Sequence, residues 1–416
     1  MDWIINSLLD SDFYKFTMGQ VIFKYYKNIP VTMGFKNRTT SIDLPDFISL
    51  NELRQQLDHV KGLKLTKTEL HYLRGTNEYQ ERMFSEDYLQ ALQNINLSDY
   101  FCDVTTYSEP KNKLILDFSG AWHDTTYWEI YALAIVNEMY FRSLLKNKSS
   151  FKLDAIRAEG IKRLEQKITE LRKYPELTFT DFGTRRRFSR EWQEYVVKTM
   201  AEELPDQFIG TSNVKLAEKY GLLPMGTSAH EPEMVLAGLA GNLSDKYLHD
   251  APGTWLQKWW QQYDWGLSIA LTDTFGTDFF FQNFTKEQAN NWKGLRQDSG
   301  DPIQFGERAI QFYENYDIDP KEKLLIFSDG LDVKTMIKIF NHFHKRIKVT
   351  FGWGTNLTND LGLAPLSLVI KATKADGKPL VKLSDNLAKA IGPKDEVERY
   401  KRVFGYTNSF SEKCTY

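Results

Sequence analysis

Apolar and polar positions along this chain divide it into a mixed first third and a longer, more regular remainder. Leu8–Met18 opens a helix, with Ser11 or Asp12 near its cap. The runs Val31–Arg38 and Leu114–Gly120 read as strands. From Trp122 to Leu145 the chain is aromatic and aliphatic on every side, which predicts a buried helix rather than a half-exposed one. Ile161, Leu164, Ile168 and Leu171 then form one face of an amphipathic helix, a stripe that core packing accounts for.

After that helix a pattern recurs: a short apolar strand ends in a polar loop, usually followed by helical periodicity. The strand-and-loop units are Leu177–Arg187, Leu222–Glu233, Ile269–Gly276, Gly294–Pro302, Lys323–Asp332 and Ile347–Asn356. A seventh strand, Leu366–Lys371, follows without such a loop. Strands alternating with helices imply a parallel sheet with crossover connections. A β/α barrel would gather the loops around 183, 227, 274, 298, 329 and 354 at one mouth. A doubly wound open sheet is the alternative, and would make fewer of them neighbours. The tail from Lys374 to Pro379 forms a hairpin turn leading into Leu380–Leu383, expected to return to the N-terminal part.

Composition narrows the function classes. The 416 residues can bury a sizeable core, and 26% charged with 42% hydrophobic residues is ordinary for a soluble protein. With 53 basic and 55 acidic residues the net charge is −2, which offers no global field for a polyanion, so nucleic acid is not an expected partner. Cys102 and Cys414 are the only cysteines, which excludes a disulfide framework and a thiolate metal motif. No basic leader precedes an apolar run, and no apolar stretch approaches about 18 residues. The expectation is a cytoplasmic protein with no membrane partner.

The loops carry the chemistry. Arg185 to Arg187 follow a glycine at a strand end, and guanidinium forks bind phosphate oxygens; Arg185, first after the turn, is the one expected at the mouth. Gly352-Trp353-Gly354-Thr355-Asn356 precedes a short helix, an arrangement in which late barrel loops hold phosphates. Asp298 and Asp329 sit beside glycine, where a carboxylate accepts from sugar hydroxyls or holds Mg²⁺. Asp301, followed by Pro302, is expected to cap a helix instead. His230, on a loop of small and hydroxyl residues, can act as acid, base or nucleophile near neutral pH. There is no G-x-x-x-x-G-K-[ST] loop, no strand-linked G-x-G-x-x-G and no H-E-x-x-H pattern, so no residue is assigned as a ligand of a transition metal. Phosphate binders, ribose binders and one histidine are equipment for a phosphorylated sugar.

In that order, Asp12-Phe13-Tyr14-Lys15, Asp181-Phe182-Gly183-Thr184-Arg185-Arg186, Gly226-Thr227-Ser228-Ala229-His230-Glu231, Arg296-Gln297-Asp298-Ser299-Gly300-Asp301, Ser328-Asp329-Gly330-Leu331-Asp332 and Gly352-Trp353-Gly354-Thr355-Asn356 resemble the nicotinate phosphoribosyltransferases, over nearly the whole chain. The resemblance implies an irregular, partly open β/α barrel of the type II phosphoribosyltransferase kind, spanning 126–371. A second, mixed α/β domain would be built from both chain ends, 1–125 and 372–416. It implies that nicotinate, 5-phosphoribosyl 1-diphosphate and ATP give nicotinate mononucleotide, diphosphate, ADP and phosphate with Mg²⁺, the entry to NAD from nicotinate. By motif, His230 would be phosphorylated transiently. Arg296 and Thr227 would contact nicotinate, and Tyr14 would cover its ring, reaching in from the second subunit of a homodimer with sites at the subunit interface. Thr355 would hold the diphosphoryl sugar, and Arg185, Asp298, Asp329 and Gly354 its phosphates or ribose. A nicotinamide or quinolinate transferase on the same scaffold, a catalytically silent nucleotide-binding barrel and a barrel glycosidase are the rival readings; a glycosidase needs two facing carboxylates, which nothing in the sequence fixes.

Overall fold

The structure, a computed structural model, describes residues 2–78, 80–105, 113–408 and 410–412; Cys414 lies outside them. Two sheets organise it. The first is antiparallel and joins the chain ends: β1 (Pro30–Asn37), β2 (Asp99–Thr105) and β3 (Lys113–Ala121) come from the N-terminal third. The second is parallel, with β4 (Thr178–Asp181), β5 (Phe208–Thr211), β6 (Leu223–Pro224), β7 (Ile269–Leu271), β8 (Gly294–Gln297), β9 (Leu324–Phe327) and β10 (Lys348–Trp353). The antiparallel sheet is completed late in the chain by β11 (Leu368–Ala375) and β12 (Lys378–Pro379), in the order β12-β11-β1-β3-β2. The parallel sheet runs β6-β5-β4-β10-β9-β8-β7 and does not close, since β6 and β7 are left as edges. That is the expected partly open barrel.

The strand at 366–371 is a correction to the sequence reading. It exists, as part of β11, but pairs antiparallel with β1 from Val31↔Ala375 to Asn37↔Leu368 instead of joining the parallel sheet. Its place in the parallel sheet is taken by β5, four residues with a central Gly210 and no helix-like or alternating signature. Gly210 is required there, because a Cβ would stand 2.3 Å from the Leu223 carbonyl oxygen of β6. The Asp376-Gly377 hairpin forms as expected, with both residues at positive φ, the geometry of a two-residue turn.

Helices pack as their patterns dictate. α1 (Phe13–Tyr26) starts after Asp12, and α2 (Trp128–Leu145) is buried from Trp128 to Phe141, a short separate helix at Trp122–Thr125 preceding it. α3 (Ser150–Leu171), capped by Ser149, buries Leu164, Ile168 and Leu171, whereas Ile161 is exposed. α4 (His230–Gly241) begins at the histidine itself. Asp301 caps the helix Pro302–Glu314 by accepting from the Ile303 and Gln304 amides.

Both chain ends are fastened to the barrel. The Phe13 amide donates to the Ser212 carbonyl at 2.7 Å, beyond the end of β5. Gly226 lets the backbone of Tyr14 come so close that a Cβ would stand 2.9 Å from its nitrogen. Beyond β12 the tail departs from its expected course: instead of staying on the N-terminal part, it crosses the strand ends of the barrel. The Leu383 amide donates to the Thr274 carbonyl at 2.9 Å, and Ser384 Oγ to Ser299 Oγ at 2.9 Å. No helix among the described residues is long and apolar enough to cross a membrane.

Candidate active site

At the C-terminal ends of the parallel strands lies a cavity of about 270 Å³. Its wall contains Tyr14, Arg185, His230, Arg296, Asp298, Asp329, Gly354 and Thr355, so eight of the nine residues selected from sequence are brought together. Thr227 is not: its carbonyl accepts from Thr17 Oγ1 at 2.7 Å, and its neighbours Gly226 and Ala229 form the wall instead. Tyr14 reaches the cavity wall within its own chain. A larger surface groove, about 970 Å³, passes Lys24, Lys27 and Gln262 at the end of α1, but none of the six loops reaches it.

His230 is fixed by both ring nitrogens. Nδ1 lies 2.9 Å from Thr274 Oγ1 and Nε2 3.0 Å from Asp298 Oδ2, with Asp273 Oδ1 at 3.8 Å from Nε2. Burial, reinforced by the Lys382 charge, pulls the imidazole down to about 4, so it is neutral at pH 7. Burial alone would raise the Asp298 carboxyl, yet the His230 hydrogen bond and the charges of Arg296 and Lys389 hold it well below the usual range. Asp298 also accepts from Ser328 Oγ at 3.0 Å. Glu231, next to His230 in sequence, points elsewhere: its carboxylate meets Lys15 Nζ at 2.7 Å and Trp122 Nε1 at 2.7 Å.

The remaining charges form two groups. Glu129, on α2, meets Lys15 at 2.7 Å, Lys371 at 3.1 Å, Arg185 at 3.5 Å and the Tyr14 hydroxyl at 3.3 Å. Burial takes the Lys371 ammonium down to about 8 against the pull of Glu129, with Arg185, Lys382 and Lys15 repelling it. On the other side, Lys389 donates to Asp329 at 2.6 Å and to the Asp298 carbonyl at 2.9 Å. Burial raises the Asp329 carboxyl despite that partner. Of the three consecutive arginines, Arg185 faces the cavity while paired with Glu129, whereas Arg187 is buried on Asp10 at 2.6 and 2.8 Å and Arg186 Nε donates to the Leu368 carbonyl at 3.0 Å.

Arg296 stands out on the wall. Its Nε is buried without a hydrogen-bond partner among the described residues. A guanidinium fork left open beside a cavity is suited to a carboxylate brought by a ligand. Asp298 and Asp329 are among the cavity carboxylates, and their oxygens suit a hard cation such as Mg²⁺.

Sequence reasoning missed Arg38, Lys371, Lys382 and Lys389, all on the cavity wall, and Asp273 behind it. The one available signal was Lys382, a lysine inside the apolar run Leu380-Val381-Lys382-Leu383. Burial of such a side chain calls for a carboxylate partner, here Asp273 at 3.6 Å.

Comparison with known proteins agrees with this geometry. Residues 177–408 match the nicotinate phosphoribosyltransferase (NAPRTase) family and residues 9–137 match the N-terminal domain of that family. The fold is similar to the crystal structure of nicotinate phosphoribosyltransferase from Porphyromonas gingivalis, at 31% identity and a TM-score of 0.85, covering 97% of this chain and 100% of that one. It is similar also to the nicotinate phosphoribosyltransferase of Vibrio cholerae, at 32% identity and a TM-score of 0.86, covering 97% of this chain and 95% of that one. With both of its parts matched by the family's models, the chain belongs to the nicotinate phosphoribosyltransferase family.

Proposed function

We propose that this chain couples phosphoribosyl transfer onto nicotinate to the hydrolysis of ATP, with His230 carrying the phosphoryl group in between. The observation that supports it is the state of His230: a neutral imidazole at a cavity wall, held at both nitrogens. A neutral ring keeps a lone pair for phosphorus at physiological pH.

The other wall residues divide by charge. Arg296 would pair with the nicotinate carboxylate, and Tyr14 lies where it would cover the pyridine ring. Arg185, Lys371, Lys382 and Lys389 form a cationic lining that stabilises departing diphosphate. Gly354 and Thr355 open a short helix whose backbone amides would bind a phosphate, and Asp329 would accept from ribose hydroxyls. Asp298 and Asp329 would hold Mg²⁺, which when bound neutralises phosphate charge. The pyridine nitrogen attacks the anomeric carbon as diphosphate leaves, and positive charge builds on the ribose. Fixed orientation of the two reactants supplies much of the acceleration. The same reading makes the protein a cytoplasmic homodimer, which sedimentation of the purified chain tests.

The experiment is incubation with nicotinate, the diphosphoryl sugar and Mg²⁺, with and without ATP, scoring nicotinate mononucleotide. ATP should raise the yield, and γ-labelled ATP should leave an acid-labile label that His230→Ala abolishes. Yield independent of ATP refutes the coupling, and a label that survives His230→Ala reassigns the acceptor. Competing nicotinate against nicotinamide and quinolinate in one assay settles the acceptor base.

A further inference from the structure

Behind the cavity wall lies a buried charge cluster. Lys15, Glu129 and Glu231 do not line the cavity, and their side chains are 0%, 3% and 4% exposed. Each stands in the first turn of a helix: Lys15 in α1, Glu129 in α2 and Glu231 in α4. Acids suit that position, because a helix N-terminus carries partial positive charge. A lysine does not, and burying an ammonium is costly unless carboxylates meet it. Lys15 is therefore placed by its partners and not by its helix. Its Nζ lies 2.7 Å from Glu129 Oε2, 2.7 Å from Glu231 Oε2 and 3.3 Å from Thr126 Oγ1. Glu231 is pinned from its other side by Trp122 Nε1 at 2.7 Å. Burial alone would lower the Lys15 ammonium, yet the two carboxylates hold it above its ordinary value, so it stays charged at neutral pH.

The distances around Glu129 are unequal. Oε2 takes the short contact to Lys15 and a longer one, 3.3 Å, from the Tyr14 hydroxyl. Oε1 faces Lys371 at 3.1 Å and Arg185 at 3.5 Å. A charge-assisted bond from nitrogen to a carboxylate closes to about 2.7–2.9 Å when nothing opposes it. Lys15 has that bond, and the two other cations do not. Lys371 and Arg185 are also the two within reach of a ligand, since both line the cavity. Without Lys15 behind it, Glu129 would turn its full charge on these two and close both gaps. They would then be committed to Glu129 before any phosphate arrived.

We infer that Lys15 is a positioning residue for the diphosphate site: it draws Glu129 back, so that Glu129 orients Lys371 and Arg185 without neutralising them. The inference rests on the assignment of those two cations to the diphosphate. Glu231 and Trp122 anchor Lys15, and Lys15 acts on the ligand only through Glu129. A carboxylate can thus stand beside a site for a polyanion, because the donor nearest to it is one that the ligand cannot reach.

Steady-state kinetics of the full chain test it, with the affinity for inorganic diphosphate measured by calorimetry. Lys15→Met keeps an unbranched side chain but has no charge. KM for the diphosphoryl sugar and Kd for diphosphate should each rise about tenfold, the effect of withdrawing one charge-assisted bond. KM for nicotinate should stay within about twofold, because Tyr14 keeps its bond to Glu129 and Arg296 lies outside the cluster. A loss of fold would instead lower the amount of active protein and move neither constant. Lys15→Met also strands Glu231, so Lys15→Met/Glu231→Gln is made beside it; its urea midpoint should return toward wild type while KM for the sugar stays raised. Lys15→Met/Glu129→Gln should show a KM no higher than Glu129→Gln alone. A sugar KM unmoved in Lys15→Met overturns the inference. So do additive losses with Glu129→Gln, or a KM that recovers together with the midpoint when Glu231→Gln is added. Lys371→Met separates the inference from the assignment beneath it. A KM that rises there but not in Lys15→Met overturns the role of Lys15 alone, and a KM that rises in neither removes the diphosphate assignment as well.

Discussion

Glu129 is the residue through which the cationic side of the cavity can be tuned, and its replacement by glutamine has a calculable effect. Lys371 Nζ sits 3.1 Å from Glu129 Oε1, and burial has brought the ammonium to about 8. A lysine is charged below its pKa and neutral above it, so at pH 7.5 about three quarters of Lys371 is charged, falling to about one tenth at pH 9. A charge-assisted bond to a phosphate oxygen contributes about 1.5–3 kcal/mol. KM for the diphosphoryl sugar should therefore climb about tenfold between pH 7 and 9 in the wild-type protein. At 3.1 Å the attraction of Glu129 is about 5 kcal/mol at an effective dielectric of 20. Loss of even half of it lowers the lysine pKa by about two. In Glu129→Gln, Lys371 would then be mostly neutral across the whole range, and KM should be high and nearly flat from pH 7 to 9. Steady-state kinetics at saturating nicotinate measure both profiles, with Lys371→Met as the fully uncharged reference. A wild-type KM that does not move between pH 7 and 9, or a Glu129→Gln profile superimposable on it, refutes the assignment of Lys371 to the phosphates.

Arg296→Lys keeps a charge but loses the planar fork; KM for nicotinate should rise at least about tenfold with little change for the diphosphoryl sugar, and an equal rise for both would place Arg296 elsewhere. His123 is buried in a ring of Phe23, Tyr88 and Tyr127 with neither nitrogen hydrogen-bonded among the described residues, and burial with the Lys27 charge lowers it to about 4. The unfolded chain takes up that proton below about pH 6.5 and the folded one does not, so about 3 kcal/mol of stability is lost as pH falls from 6.5 to 4. His123→Phe should abolish that loss, read as urea midpoints at pH 7.5 and 5; an equal acid loss in both proteins contradicts it. Arg187→Met strands Asp10 in the interior and should cost about 3–5 kcal/mol, seen as a lowered urea midpoint of the purified chain, and a midpoint unchanged from wild type would show that Asp10 finds another partner.

What could be read from sequence was what local chemistry writes at strand ends. Glycine beside aspartate, arginine or threonine marks a loop where a backbone turns and a polar group faces outward, and the loops at 183, 298, 329 and 354 all reach the cavity. What could not be read was pairing over distance. Nothing in Leu366–Lys371 says that its partner is β1, more than 300 residues earlier, since an apolar run fits either sheet. Strand β5, four residues from Phe208 to Thr211, is too short to show a period. Lys371, Lys382 and Lys389 carry no motif, because a lysine is recruited by position alone. Thr227, in the loop before His230, sits one residue from the wall, and its backbone carbonyl holds the Thr17 hydroxyl.

The fastening of both chain ends to the barrel mouth has a consequence for how the protein comes into being. Tyr14 meets Glu129, Lys382 meets Asp273, and Lys389 meets Asp329, so the wall draws on residues separated by nearly the full length of the polypeptide. During synthesis the N-terminal helix emerges first and must wait for the barrel strands it docks against. The last lysine of the wall, Lys389, is synthesised only after every strand of the parallel sheet. No partial chain ending before the tail can hold the complete cavity, and activity arrives as a single late event instead of accumulating with length.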